Sequence, residues 1–142
     1  PISLRSRSVS KSNATESDFL ALTFTATALP WAAATDLDIH LHTADPGEAG
    51  ISTTSEATYT SYAAVTVSRA GSAWTVAGNT VTNDNLIQFP QCTGGSNTIT
   101  HVSITPSGST QILYSGALNS SLAVSNGIQP QFAAGALSIQ ED

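Results

Sequence analysis

The sequence predicts an all-β protein, a single antiparallel β-sandwich or jelly-roll-like domain with an extended N-terminal arm. Short apolar segments alternate with polar residues at a period of two, and Thr and other β-branched residues are abundant. Turn signals recur between these segments, and no segment of useful length has the helical period. About nine short strands with turns at regular spacing are typical of antiparallel sandwiches and jelly rolls.

The strand pattern follows the chain from end to end. It is carried by residues 19–25, 37–43, 61–68, 72–78, 80–83, 85–90, 97–105, 109–116, 121–126 and 136–140. Gly78-Asn79 is predicted to be a hairpin turn. Residues 28–36 are predicted to hold one helical turn, because Pro30 suits the first position of a helix. Asp45-Pro46-Gly47 ends a strand, and a long polar loop follows it.

The length of 142 residues fits one domain with a buried core. Only 10% of the residues are charged, against about a quarter in typical globular domains. An uncharged surface rich in Ser and Thr is common on parts that pack against copies of themselves. The sequence has neither a signal-peptide core nor an apolar run of membrane-spanning length. We interpret the initial Pro1 as the result of Met removal, and so expect synthesis in a host cytoplasm.

Charge divides the chain into two parts. Residues 1–11 contain three cations and no acid, whereas residues 12–142 contain one cation, Arg69, and ten acids, a net charge of −9. Residues 1–16 are polar and Ser-rich, so we predict an extended basic arm that is dispensable for folding, followed by a β-sandwich body over residues 17–142. The arm is expected to bind an assembly partner through its cations and its large apolar side chains, which are Ile2, Leu4, Arg5, Arg7, Val9 and Lys11.

Histidines are the only group that suggests a metal. Asp38, His40 and His42 share the polar face of the strand predicted at 37–43, and His101 lies in another predicted strand. Two histidines at i and i+2 can bind one ion, but a structural zinc site normally needs four ligands. We therefore expect no metal, and interpret these histidines as facing solvent or an interface.

Catalytic signatures are absent from the sequence. It has no G-x-S-x-G elbow and no Gly-rich phosphate loop, and the nearby carboxylates Asp36 and Asp38 have no glycosidase context. Cys92 is the only cysteine, so it cannot form an internal disulfide, and few cations are available to activate it. We expect neither enzymatic activity nor a cofactor.

Scattered aromatic residues leave one binding role open. A sugar platform could be built from Trp31, Tyr59, Tyr62, Trp74 and Tyr114. Aromatic residues spaced in this way pack more often in a core or an interface.

Six segments carry a resemblance to known proteins. They are LHTADPGEAG (41–50), EATYTSYA (56–63), NLIQFP (85–90), THVSI (100–104), ILYSGAL (112–118) and NGIQPQFAAGALSI (126–139). In this order they resemble a family of small virion proteins of tailed bacteriophages, whose members are described as tail-fibre or capsid decoration proteins. The segments cover most of residues 37–140, and the resemblance implies a β-rich structural protein of the virion.

Resemblance and charge together suggest a capsid decoration (cement) protein. We expect a homotrimer on the outer surface of the phage shell, with each arm bound to the major capsid protein so that the shell is stabilised. The alternatives are a tail or fibre component and a receptor- or carbohydrate-binding module. A net charge of −6 argues against nucleic acid as a partner, and no membrane partner is expected.

Overall fold

A computed structural model describes residues 2–141, apart from the side chains of Ile2, Arg7 and Ser8. Over this range the chain forms eleven strands and one helix. They are β1 (Ile2–Ser3), β2 (Ser6–Lys11), α1 (Asn13–Thr25), β3 (Asp36–His42), β4 (Val65–Ser68), β5 (Trp74–Ala77), β6 (Thr80–Asn83), β7 (Ile87–Gln88), β8 (Asn97–Pro106), β9 (Tyr114–Val124), β10 (Pro130–Phe132) and β11 (Ser138–Gln140).

The strands pair into three sheets. The largest has five strands in the order β2-β9-β8-β3-β4, and each neighbouring pair is antiparallel. A second sheet, β11-β6-β5, is also antiparallel. In the third sheet, β1-β10-β7, the pairing of β1 with β10 is parallel. The predicted all-β fold with antiparallel sheets is confirmed.

One hydrophobic core joins the three sheets. Ile39 and Val102 of the five-stranded sheet share it with Phe132 of β10 and Ile139 of β11. The Ser6 hydroxyl also connects two sheets, because it donates to the Ser138 carbonyl and accepts from the Ser138 amide, at 2.9 and 2.7 Å. Burial of apolar side chains between the layers is what holds the sheets together.

Helix α1 corrects the strand prediction for residues 19–25. Its first turn is capped by Ser12, whose Oγ accepts the amide of Thr15 at 3.2 Å. It ends at Ala26, which has a left-handed conformation with φ 54°. Thirteen residues is too short for a membrane span, and no helix within residues 2–141 has the length and apolarity to cross a bilayer.

The helix has no visible helical period because its apolar residues lie on both of its sides. Leu20 and Phe24 are on one side, whereas Phe19 and Leu22 are on the other. Leu20, Leu22 and Phe24 also recur at every second position, which mimics the alternation of a strand. Locally, the Ser12 cap and helix-forming residues such as Ala14 favour a helix over a strand in this segment.

The N-terminal residues belong to the body, which corrects the prediction of a separate arm over residues 1–16. Strand β1 pairs with β10, and β2 forms an edge of the five-stranded sheet by pairing with β9. Leu4 and Val9 are 3% and 2% exposed and lie in the core. The two apolar residues are five positions apart and the pairing of β2 has a register shift between Ser6 and Ser8, so the sequence shows no regular alternation and the segment looks like a polar tail.

Other boundaries differ in detail. The strand predicted at 61–68 begins only at Val65, and those at 109–116 and 121–126 are replaced by the single long strand β9. The Gly78-Asn79 turn joins β5 to β6 as predicted, with Gly78 at φ 63°. Residues 28–36 contain consecutive turns, in which Ala32 and Ala34 donate to the carbonyls of Leu29 and Trp31.

Candidate functional site

A buried polar network lies on the face of β3 where the histidines were predicted to face solvent or an interface. His40 is 8% exposed and His42 is 0% exposed, so that prediction is wrong for both. Nδ1 of His40 lies 2.7 Å from Oε1 of Glu56, and Nε2 lies 3.1 Å from Oγ1 of Thr105. Tyr62 donates to the same Glu56 oxygen at 3.0 Å. The loop after β3 folds back over the strand and supplies Glu56, which keeps these groups from water.

His42 has a defined proton arrangement. Its Nδ1 lies 2.8 Å from the carbonyl oxygen of Thr54, which can only accept, so Nδ1 carries the proton. Nε2 therefore accepts from the hydroxyl of Ser103 at 2.7 Å. Burial lowers the pKa of His42 below its ordinary value and outweighs the opposing effect of the bond to Thr54.

The Ser103–His42 pair has the geometry of a nucleophile and its base. Both residues are 0% exposed, however, so a substrate cannot reach the Ser103 hydroxyl in this conformation. Within residues 2–141 no group of three or more His, Cys, Asp or Glu side chains is arranged to hold a metal ion. His101 is apart from the network's bonds, with its Nδ1 2.8 Å from Oγ1 of Thr100.

The six residues predicted to bind a partner do not form one surface. Leu4 and Val9 are core residues, whereas Arg5 is exposed beside β9. The Lys11 ammonium pairs with the carboxylate of Glu141. The side chains of Ile2 and Arg7 lie outside the described residues. Burial therefore makes Leu4 and Val9 inaccessible to a partner, and the ion pair with Glu141 engages Lys11 within the chain.

Glu141 is held in its charged form by two neighbours. Burial raises its pKa, but hydrogen bonds from Lys11 and from the Tyr114 hydroxyl outweigh burial and hold the pKa below its ordinary value. This cluster fastens the residue after β11 to β2 and β9.

An apolar cleft opens between the five-stranded sheet and the β11-β6-β5 sheet. Its volume is about 400 Å³, and its walls include Trp31, Trp74, Val76 and Ile139. Arg69 is also part of the lining, where its guanidinium stacks 5.4 Å from the ring centre of Trp31. Nη1 of Arg69 donates to the carbonyls of Trp31, Ala32 and Ala34, so this cation fixes the adjacent segment.

Helix α1 stands beside the cleft. Phe19 packs edge-on against Trp31 with ring centres 5.8 Å apart, and Asp18 accepts the indole N–H of Trp31 at 3.2 Å. The opposite side of the helix carries Glu16, Leu20 and Phe24, which we call the outer stripe. Leu20 is 60% and Phe24 78% exposed.

The aromatic residues considered as a sugar platform are divided between two places. Tyr59 is 3% exposed and donates to the Pro90 carbonyl at 2.8 Å, and burial raises its pKa to about 12. Tyr62 stacks on Phe89 within the core. Trp31, Trp74 and Tyr114 do line the cleft, but its walls are largely apolar and offer few groups to read sugar hydroxyls.

Sequence reasoning missed two of these features. Glu56, Ser103 and Thr105 are ordinary polar residues in the sequence, and only the pairing of β3 with β8 brings the last two beneath the histidines. The outer stripe was hidden by the strand prediction. The cap Ser12, followed by Ala14 and Glu16, was the available signal for the helix.

Comparison with known protein families identifies the family of this chain. Residues 10–140 match the sequence model of the family Gp80, described as podophage GP4 fiber I protein gp80. No curated protein matches the chain significantly. Because the match spans almost the whole chain, the resemblance to a tailed-phage virion family is confirmed. The chain belongs to the Gp80 family of podophage fibre proteins, which are structural proteins of the phage virion.

Proposed function

We propose that this chain is a building block of the virion fibre and acts by packing against other proteins rather than by catalysis. The observation that carries the proposal is the match of residues 10–140 to a fibre family. The distribution of polar groups supports it. Among the side chains that the structure describes, every buried nitrogen and oxygen has a hydrogen-bond partner, whereas the outer stripe and the cleft leave apolar surface exposed.

A structural role also suits the polar network. Its histidines, hydroxyls and carboxylate bind one another and the loop after β3, and the Ser103–His42 pair is closed to substrate. Such a fully satisfied network gives a sheet a unique arrangement.

Capsid decoration is the second candidate. It was expected from an arm reaching the major capsid protein, with three copies around an axis. Leu4 and Val9 lie in the core, and Lys11 is paired with Glu141. Among the described side chains, exposed Arg5 is therefore the main one left that could bind the capsid protein in this way. A fibre component needs no such arm, so we favour it.

Copy number separates the two candidates. Quantitative mass spectrometry of purified virions would give the ratio of this chain to the major capsid protein, and gold-labelled antibodies would locate it. A few copies at the tail or its fibres are expected. A copy number comparable to that of the shell subunit, with label over the whole head, would overturn the proposal in favour of decoration.

A further inference from the structure

The outer stripe is an unusual face for a surface helix. A helix on a folded body normally turns polar residues outward, but α1 exposes Leu20 and Phe24 one turn apart. The side chain of Glu16 precedes them on the same line. The stripe thus presents one acid followed by two large apolar side chains.

The stripe cannot fill the cleft of its own chain. Thr15 and Asp18 fix the other side of α1 to the body, through the Ile112 carbonyl at 3.2 Å and the indole of Trp31 at 3.2 Å. Leu20 and Phe24 are therefore turned away from the body, although Trp31 makes the helix and the cleft neighbours.

The cleft has the complementary chemistry. Its walls are mainly apolar, and Val76, which is 74% exposed, stands on the edge strand β5 at its opening. Arg69, the one cation in residues 12–142, is part of its lining and uses Nη1 alone in the hydrogen bonds to residues 31–34. The cleft therefore offers apolar walls beside a positive charge, which matches a stripe that begins with Glu16.

We propose that the cleft takes the outer stripe of a second copy of this chain. Each copy carries both surfaces, so a closed symmetric assembly lets every copy give its stripe to one neighbour and accept the stripe of another. Contact between Glu16 and Arg69 sets the direction in which the stripe enters, because reversal would remove the acid from the cation. The proposal concerns self-assembly and does not depend on where the assembly sits in the virion.

Two substitutions test the proposal with the full chain. Phe24→Asp damages only the stripe, and Val76→Asp damages only the cleft. Both side chains are more than 70% exposed, so folding should persist, and circular dichroism and thermal melting check this. Sedimentation over a concentration series should show association of the unchanged chain and monomers for each variant. Leu86→Asp, at another exposed apolar site that does not line the cleft, should associate like the unchanged chain.

Mixing the two variants is the decisive experiment. The Phe24→Asp chain keeps its cleft and the Val76→Asp chain keeps its stripe, so the mixture should regain association through one intact contact per pair. Stripe-to-stripe or cleft-to-cleft packing gives no such recovery. Three results would overturn the inference. The unchanged chain could be a monomer, each of the two variants could still associate by itself, or the mixture of the variants could stay monomeric. The fibre assignment would still be decided by copy number.

Discussion

The indole nitrogen of Trp31 lies 3.2 Å from Oδ2 of Asp18, and this bond holds helix α1 beside the apolar cleft. The same Asp18 oxygen accepts from the side-chain amide of Gln111 at 2.8 Å. One carboxylate therefore joins the helix to both the segment after it and the strand region before β9. The position of the outer stripe depends on this acceptor.

Replacing Asp18 should loosen the helix. Asp18→Ala removes two hydrogen bonds to a charged acceptor, so we expect the free energy of unfolding to fall by about 1–3 kcal/mol in urea titrations. Asp18→Asn keeps one acceptor oxygen and should lose less. Glu48→Ala, an exposed change, should stay within about 0.5 kcal/mol. Equal losses for Asp18→Ala and Glu48→Ala would contradict the anchoring role.

Removing Leu4 should destabilise the whole domain. It is 3% exposed in the core, so Leu4→Ala leaves a cavity, with an expected cost of about 2–5 kcal/mol. The neighbouring Arg5→Ala change affects an exposed side chain and should cost no more than about 0.5 kcal/mol. Chemical denaturation of both variants checks this. If the two cost the same, the N-terminal residues form a free arm after all.

Stability should fall with acid because of His42. Its folded-state pKa is lower than the ordinary 6.5 because burial disfavours the charged form. As the pH drops below 6.5, the imidazole is therefore protonated in the unfolded chain before it is protonated in the folded chain. The free energy of unfolding then falls by at most about 1.4 kcal/mol per pH unit, until the pH passes the folded-state pKa. His40, His101 and Glu56 face this group and modulate the effect.

The His42→Asn variant isolates that contribution. An amide at this position does not titrate, so the stability difference between the unchanged chain and the variant should shrink between about pH 7.5 and about pH 5.5. Urea unfolding at both values measures it. A difference that stays constant with pH would show that His42 does not drive the acid sensitivity.

Asn83 should not tolerate a carboxylate. It is 2% exposed; its Oδ1 accepts from the Leu137 amide at 2.9 Å, and its Nδ2 donates to the carbonyls of Asn85 and Ala133. Asn83→Asp keeps the shape but turns an oxygen toward those carbonyls, at an expected cost of about 3–5 kcal/mol at neutral pH. Protonation of the introduced carboxylate should recover part of this loss in acid.

A matched change supports the reading of Asn83. Asn119→Asp adds the same charge at an exposed position and should stay within about 0.5 kcal/mol. Thermal or urea unfolding of the pair suffices. Comparable losses for the two changes would mean that net charge, rather than the buried bonds of Asn83, sets the cost.

The sequence by itself determined the fold class and much of the strand pattern. Residues 37–43 alternate cleanly between apolar and polar side chains, with Ile39 and Leu41 turned to the core, and the structure has β3 there. The strand predicted at 97–105 is β8. Gly78 gave the β5-β6 turn because it can adopt a positive φ. These are local effects, which neighbouring residues in the chain control.

Only the tertiary structure decided the rest. The polar face of β3 is closed to water because a loop brings Glu56 back over it. Leu4 lies in the core because β1 and β2 pair with the edges of β10 and β9. The helix at 13–25 required a cap and a docking contact to Trp31, because its apolar residues follow no helical period. Contacts between residues distant in the chain set burial, and burial placed Leu4 and Val9 of the predicted arm in the core and closed His40 and His42 from solvent.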